Sequence, residues 1–312
     1  MEQFEGRLRD AAGRVPLLQR LFPAFFAAKA PILHIASDVG QGPVVILLHG
    51  IASSSQTFED LLPLLADRHR CISIDLLGFG ESPEGVDYTI EEHVEAIEAT
   101  IRSLRLRAPF TLVGHSLGSL LSSRFAAQYP AQVSHLVMVS PPIYPDPSEL
   151  DSRVERMQLG AYLRAYEYLR ANKVFTIGNA ARVARLLKIS QIFEISERNW
   201  DAFVKSLQNC IESQTTVTDL ARVQAPVDVV YGAQDQFIAM GTMRVIERLR
   251  NVTVHRVELN DHLVRPRLAR VVAAAIGPVD QAQPTDAARP VSREHRGVAG
   301  RSRTNLDSEH GH

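Results

Sequence analysis

Ser116 is the residue of this chain best placed for nucleophilic chemistry. It lies in residues 110–118, Phe-Thr-Leu-Val-Gly-His-Ser-Leu-Gly, where a short apolar run stops abruptly at a serine held between two glycines. The run has the length and composition of a buried strand, and residues 117–128 read as a helix. A sharp strand-to-helix turn leaves no space for a Cβ two positions before or after the serine, which is what Gly114 and Gly118 supply. Such a turn lifts the hydroxyl out of the sheet edge and points the Leu117 amide, at a helix N-terminus, towards whatever the hydroxyl attacks. Glycine-serine pentapeptides arise by chance; a strand before and a helix after give this one its weight.

A serine hydroxyl is a poor nucleophile near neutral pH and needs a base, usually a histidine oriented by a carboxylate. In an open α/β sheet such groups sit at the C-terminal ends of the strands. Two stretches qualify: Tyr231-Gly-Ala-Gln-Asp235 and Asn260-Asp261-His262 each follow a strand-like run. The chain order is then Ser116, Asp235, His262, the serine, acid, histidine order of a nucleophile elbow. Asp261 and Asp146 are rival acids. Asp261 adjoins the histidine and is poorly placed to reach its Nδ1, and Asp146 lies among prolines that punctuate a loop. By strand alternation His115 falls opposite Ser116 and reads as a packing or hydrogen-bonding residue. His49 reads as a loop stabiliser, and His34, His69, His93, His135 and His255 have no partner pattern.

The elements that must position these groups follow from the patterning. Apolar runs at 43–48, 71–75, 110–115, 133–139, 227–231 and 252–259 alternate with helical segments, with a further early strand expected at 32–36 and helices at 57–66 and 89–104. Thr89 and Glu92 form a capping-box pattern at the last of these. The repetition predicts an α/β fold with a mostly parallel, doubly wound sheet. Residues 143–218 show helical periodicity alone after a proline-rich break. They read as an inserted helical cap between the two parts of the core, 31–142 and 219–278. Residues 1–30 read as an N-terminal helical segment and 279–312 as a disordered tail.

With 312 residues, 45% hydrophobic and 22% charged, the chain can bury a large core. Its formal net charge of -1, without a basic cluster carrying interleaved aromatics, argues against nucleic acid and for a small-molecule substrate. Cys71 and Cys210 have no metal-type spacing and form no disulfide framework, so a reducing, cytoplasmic setting is expected. Arg7, Arg9 and Arg14 precede an apolar stretch that Arg20 and Pro23 interrupt. It is too short and too charged to span a bilayer or serve as a secretory leader. It is read as packed on the fold, with peripheral contact to a membrane surface as the alternative. No phosphate-cradling or dinucleotide fingerprint occurs, and no metal or organic cofactor is expected.

From about residue 32 to 277 the chain resembles the α/β-hydrolase superfamily, of the kind with a helical cap after the strand that follows the nucleophile helix. The resemblance implies Ser116 as nucleophile, His262 as general base and then acid, and Asp235 as the group holding the imidazole. His49-Gly50 matches the family's oxyanion loop, which implies that the Ile51 amide joins the Leu117 amide in stabilising a tetrahedral oxyanion. Asp75-Leu-Leu-Gly78-Phe-Gly80-Glu-Ser82 resembles a structural signature of the family. Many relatives carry a glycine beside the catalytic histidine, where this chain has Asp261 and Leu263. Relatives that displace halide or open epoxides use an aspartate where this chain has Ser116. The expected activity is hydrolysis of carboxylic esters or related acyl substrates through an acyl-enzyme. The alternatives are carbon-carbon bond hydrolysis of dicarbonyl compounds, with Arg156, Arg164 and Arg182 as candidate carboxylate binders, acyl transfer or perhydrolysis, and a non-catalytic binding protein. Substrate identity and oligomeric state are not legible in the sequence.

Overall fold

In the computed structural model, residues 29–144, 153–186, 194–238, 240–277 and 286–287 are described. The expectations for residues 1–28, for Asp146 and for most of the C-terminal tail lie outside them. The strands are β1 (Ile35–Val39), β2 (Gln41–Gly42), β3 (Val44–Leu48), β4 (Arg70–Ile74), β5 (Phe110–His115), β6 (Val133–Val139), β7 (Val227–Gly232), β8 (Val252–Val257) and β9 (Asp286–Ala287). Seven of them form one sheet in the order β1-β4-β3-β5-β6-β7-β8. β1 runs antiparallel to β4, and all other neighbours in that sheet are parallel.

Both faces of this sheet are covered, which is why β3 and β4 are buried along their whole length. Ile46, Leu48, Ile72, Leu112, Leu136 and Met138 face one apolar cluster, shared with α2 (Ile90–Leu104) and α3 (Leu117–Gln128). Val45, Leu47, Val113, Val137 and Val230 face the other, closed by α1 (Leu62–Leu65) and α9 (Pro266–Ile276). Between β6 and β7 the described residues hold helices and no strand: α4 (Arg153–Ala171), α5 (Lys173–Leu186), α6 (Trp200–Ser206), a π-helical turn Leu207–Glu212, and α7 (Thr216–Leu220). One further helix, α8 (Met240–Ile246), joins β7 to β8. None of the described helices is long and apolar enough to cross a membrane.

Several boundaries differ from the sequence reading for local reasons. The first strand starts at Ile35, not at 32, because the Leu33 amide donates to Thr100 Oγ1 (2.8 Å) and the His34 amide to Ser82 Oγ (2.9 Å). The helix expected at 57–66 is instead a 3-10 turn, Ser55–Phe58, and the short α1. Pro63 sits in the first turn of α1, where a missing N–H is tolerated, and cannot continue a longer helix. Thr89 caps α2, its Oγ1 accepting from the Glu92 amide at 3.1 Å. The Glu92 carboxylate accepts from the Val86, Asp87 and Tyr88 amides and thereby organises the loop ahead of the helix. In the expected tail, Asp286–Ala287 pairs antiparallel with β2. Cys71 and Cys210 are both buried thiols.

Candidate active site

At the C-terminal end of β5, Ser116 adopts φ 52° and ψ −119°, a conformation non-glycine residues rarely hold. The turn is fixed from both sides. The Ser116 amide donates to Val139 O at 2.9 Å, and its carbonyl accepts from the Ser119 amide (2.9 Å) and hydroxyl (2.5 Å). A Cβ on Gly114 would lie 2.3 Å from Gly118 O, and one on Gly118 would lie 2.2 Å from Leu48 O. The two glycines that flank the serine are therefore a matter of space.

His262 and Asp235 arrive from the ends of β8 and β7. His262 Nδ1 lies 2.8 Å from Asp235 Oδ2, and the carboxylate is wholly buried. A carboxylate can only accept, so Nδ1 carries the proton and Nε2 keeps the lone pair that a base needs. The second oxygen of Asp235 accepts from the Phe237 amide at 3.0 Å. The Phe237 ring stands edge-on to the His262 ring with centroids 4.7 Å apart. Asp261 is engaged elsewhere: its carboxylate accepts from Arg265 Nε and Nη2 and from the Leu263 amide. Burial pushes the Asp261 carboxyl up, but the Arg265 contacts outweigh it and hold it below the usual value.

The 49–51 loop is built around a buried imidazole. His49 Nδ1 donates to Gly50 O at 2.7 Å, and its Nε2 accepts from the Leu76 amide at 2.9 Å. Burial lowers its pKa, so the ring is neutral and structural, as its loop position suggests. Neither the Ile51 amide nor the Leu117 amide is taken by an acceptor among the described residues. Asp75 ties the neighbouring loops together, accepting from Ser55 N (3.0 Å) and Oγ (2.7 Å) and from the Glu81 amide (3.1 Å).

His115 has more to do than strand alternation indicates. It lines the same cavity as Ser116. Its Nε2 lies 2.9 Å from the backbone carbonyl of His262, so Nε2 is the protonated nitrogen and donates. Nδ1 is buried without a partner among the described residues, and burial followed by the neighbouring His262 lowers the pKa to about 3. A neutral imidazole thus joins the residue next to Ser116 to the backbone of His262. The sequence could not show this contact, because its acceptor is a main-chain oxygen 147 residues away.

Gly50, Ile51, Ser116 and His262 open on one cavity of about 540 Å³. Its roof comes from the helices between β6 and β7, through Tyr166, Leu169, Phe175, Ala180, Phe203 and Leu207. The polar groups in this roof are engaged with the protein itself. Thr176 Oγ1 donates to Leu169 O (2.8 Å), Asn179 Nδ2 donates to Phe175 O (2.7 Å), and Asn179 Oδ1 accepts from Arg182 (3.2 Å). The Tyr166 hydroxyl is 3.0 Å from that of Tyr144. Arg156, Arg164 and Arg182 are exposed and are not in the cavity wall. Among the described residues no hydrogen bond joins the Ser116 hydroxyl to the His262 ring; the two meet across the cavity floor.

Residues 43–264 match the family described as the alpha/beta hydrolase fold. A "Probable lysophospholipase BODYGUARD 3" of Arabidopsis thaliana is 39% identical over 109 residues, 33% of this chain and 22% of that protein. The first curated relatives are thus matched over well under half their own length. A "2-(acetamidomethylene)succinate hydrolase" of Mesorhizobium japonicum is 28% identical over 267 residues, 81% of this chain and 94% of that protein. Among solved structures, an E-2-(acetamidomethylene)succinate hydrolase superposes with a TM-score of 0.59 at 24% identity, covering 77% of this chain and 91% of the other. That likeness is one of fold.

Proposed function

Because the chain belongs to the alpha/beta hydrolase fold family, we propose that it is a serine hydrolase that cleaves carboxylic esters with a largely hydrocarbon acyl portion. The observation that supports this most is the buried Asp235–His262 pair facing, across one apolar cavity, a serine held in a strained turn. Ser116 Oγ attacks the ester carbonyl carbon while His262 Nε2 takes its proton, and Asp235 stabilises the imidazolium. The carbonyl oxygen, now an oxyanion, accepts from the Ile51 and Leu117 amides, each donor contributing about 3–4 kcal/mol to the transition state. His262 returns the proton to the departing alcohol, leaving an acyl-serine. Water, deprotonated by His262, then releases the acid and restores Ser116.

In this reading residues 143–218 act as a cap over a core of 31–142 and 219–278. With its polar groups already engaged, the roof formed by the described residues suits a hydrocarbon chain, and none of them offers a cation to a carboxylate. The carbon-carbon hydrolase alternative loses the arginines invoked for it, since none lines the cavity. The same absence argues against carrying over the dicarboxylate named in the Mesorhizobium relative.

The test is turnover of a p-nitrophenyl ester series together with labelling by a fluorophosphonate. The unaltered protein is expected to label, and kcat/KM should rise roughly fourfold per added methylene until the cavity is filled. Ser116→Ala should abolish labelling and lower kcat by at least about 10³-fold. Asp235→Asn should lower kcat by about 10²–10⁴-fold, whereas Asp261→Asn should change it little. No labelling and no turnover by the unaltered protein would end the hydrolase reading.

A further inference from the structure

We propose that the corner between α4 and α5 docks on an anionic lipid surface and that the cavity is loaded from that surface. The inference builds on the proposed use of the cavity for acyl chemistry. It starts from apolar side chains that the fold leaves in solvent. Val174 is 86% exposed, Tyr168 52% and Phe175 49%. All three sit where α4 ends and α5 begins, and the Tyr168 and Phe175 rings touch with centroids 5.5 Å apart. Isolated exposed apolar residues are ordinary, but a contiguous group on a short corner marks a contact surface.

Two further observations say what it contacts. First, Phe175 also lines the cavity that ends at Ser116, so the exposed apolar surface and the apolar interior are continuous through one ring. A hydrocarbon-bearing substrate is scarce in water and concentrated in lipid, and this continuity lets it enter without crossing bulk solvent. Second, α4 and α5 together hold seven basic residues against two acidic ones, in a chain of formal net charge -1, although two of the seven, Arg170 and Lys173, pair with Glu212 and Glu197 of later segments. Arg164, exposed one helical turn before Tyr168, lies on the same side of α4. A basic pair of helices presenting aromatic and aliphatic side chains fits an anionic bilayer surface, where each cation contributes about 1 kcal/mol. A second copy of this face would set like charge against like.

The full-length protein should sediment with phosphatidylcholine vesicles containing phosphatidylglycerol, bind pure phosphatidylcholine vesicles much more weakly, and lose binding as salt is added. Val174→Glu and Arg164→Glu should each lower partitioning roughly tenfold, while turnover of a short, water-soluble ester stays at the unaltered level. Ser116→Ala should bind vesicles as the unaltered protein does. Failure of the hydrolase reading thus shows in soluble-ester turnover, and failure of the docking reading in sedimentation. Absence of vesicle binding by the unaltered protein, or equal binding by Val174→Glu, would overturn the proposal. So would a dimer in solution that Val174→Glu dissolves without any vesicle binding, which would make this corner an interface between copies.

Discussion

His115 carries a consequence at the scale of single residues. Its Nε2–H is the tie between the Ser116 turn and the backbone of His262, so in the proposed mechanism it acts as a positioning residue for the base. His115→Leu keeps the bulk and loses the donor; kcat is expected to fall roughly tenfold with KM little changed, and the rate of fluorophosphonate labelling should fall in parallel. His115→Gln, which keeps a side-chain N–H at similar reach, should recover most of kcat even if thermal stability stays lowered. Equal kcat in the Leu variant would remove the positioning role. Ser116, Asp235 and His262 are legible as candidates because each follows a strand, and the loops at strand ends are where side chains converge. His115 is legible as a packing or hydrogen-bonding residue but its partner is not, and Phe237 is not legible at all. One bonds a distant carbonyl, and the other acts through its amide on Asp235 and its ring on His262.

The β5–α3 turn depends on distances that no side chain can share. Gly118→Ala would place a methyl 2.2 Å from Leu48 O, a main-chain atom that cannot swing away. Overpacking against a fixed backbone destabilises by about 1–3 kcal/mol, and chemical denaturation should show a loss at the upper end of that range. A Gly118→Ala protein as stable as the parent would mean that β3 and α3 can separate. Patterning exposed most elements of the sheet, because strands covered on both faces are continuously apolar. It erred where local hydrogen bonds compete with the pattern. Residues 32–34 look like strand until their amides are seen to bond Thr100 and Ser82, and 57–66 looks like one helix although Pro63 divides it. The helices between β6 and β7 were legible as helices, but their placement over the strand ends depends on contacts across long stretches of chain.

For the molecule as a whole, buried histidines set the response to acid. Burial holds His93 down to about 4 and His115 to about 3. In the unfolded chain both titrate near 6.5. Below that pH the unfolded state takes up protons that the folded state refuses, so stability falls as pH falls and is fully present above about pH 7.5. The two histidines together should remove about 4 kcal/mol between pH 7.5 and 5. Denaturant midpoints measured across that window should drop, and His93→Leu should flatten the slope in part, because burial also lowers His49 and His69. A midpoint unchanged to pH 5 would mean that these rings find compensating partners when charged.

The separation of β6 from β7 has a temporal side. Leu136 pairs with Val227, so the sheet can add its fourth parallel neighbour only after a long excursion has been made and folded back. Pairings of such sequence separation form slowly. On the ribosome, the segments bearing Ser116, Ile51 and Leu117 emerge well before those bearing Asp235 and His262, by roughly ten seconds at ordinary elongation rates. In the proposed mechanism the chain would then hold its nucleophile with no base, and its chemistry would stay switched off until synthesis is nearly complete.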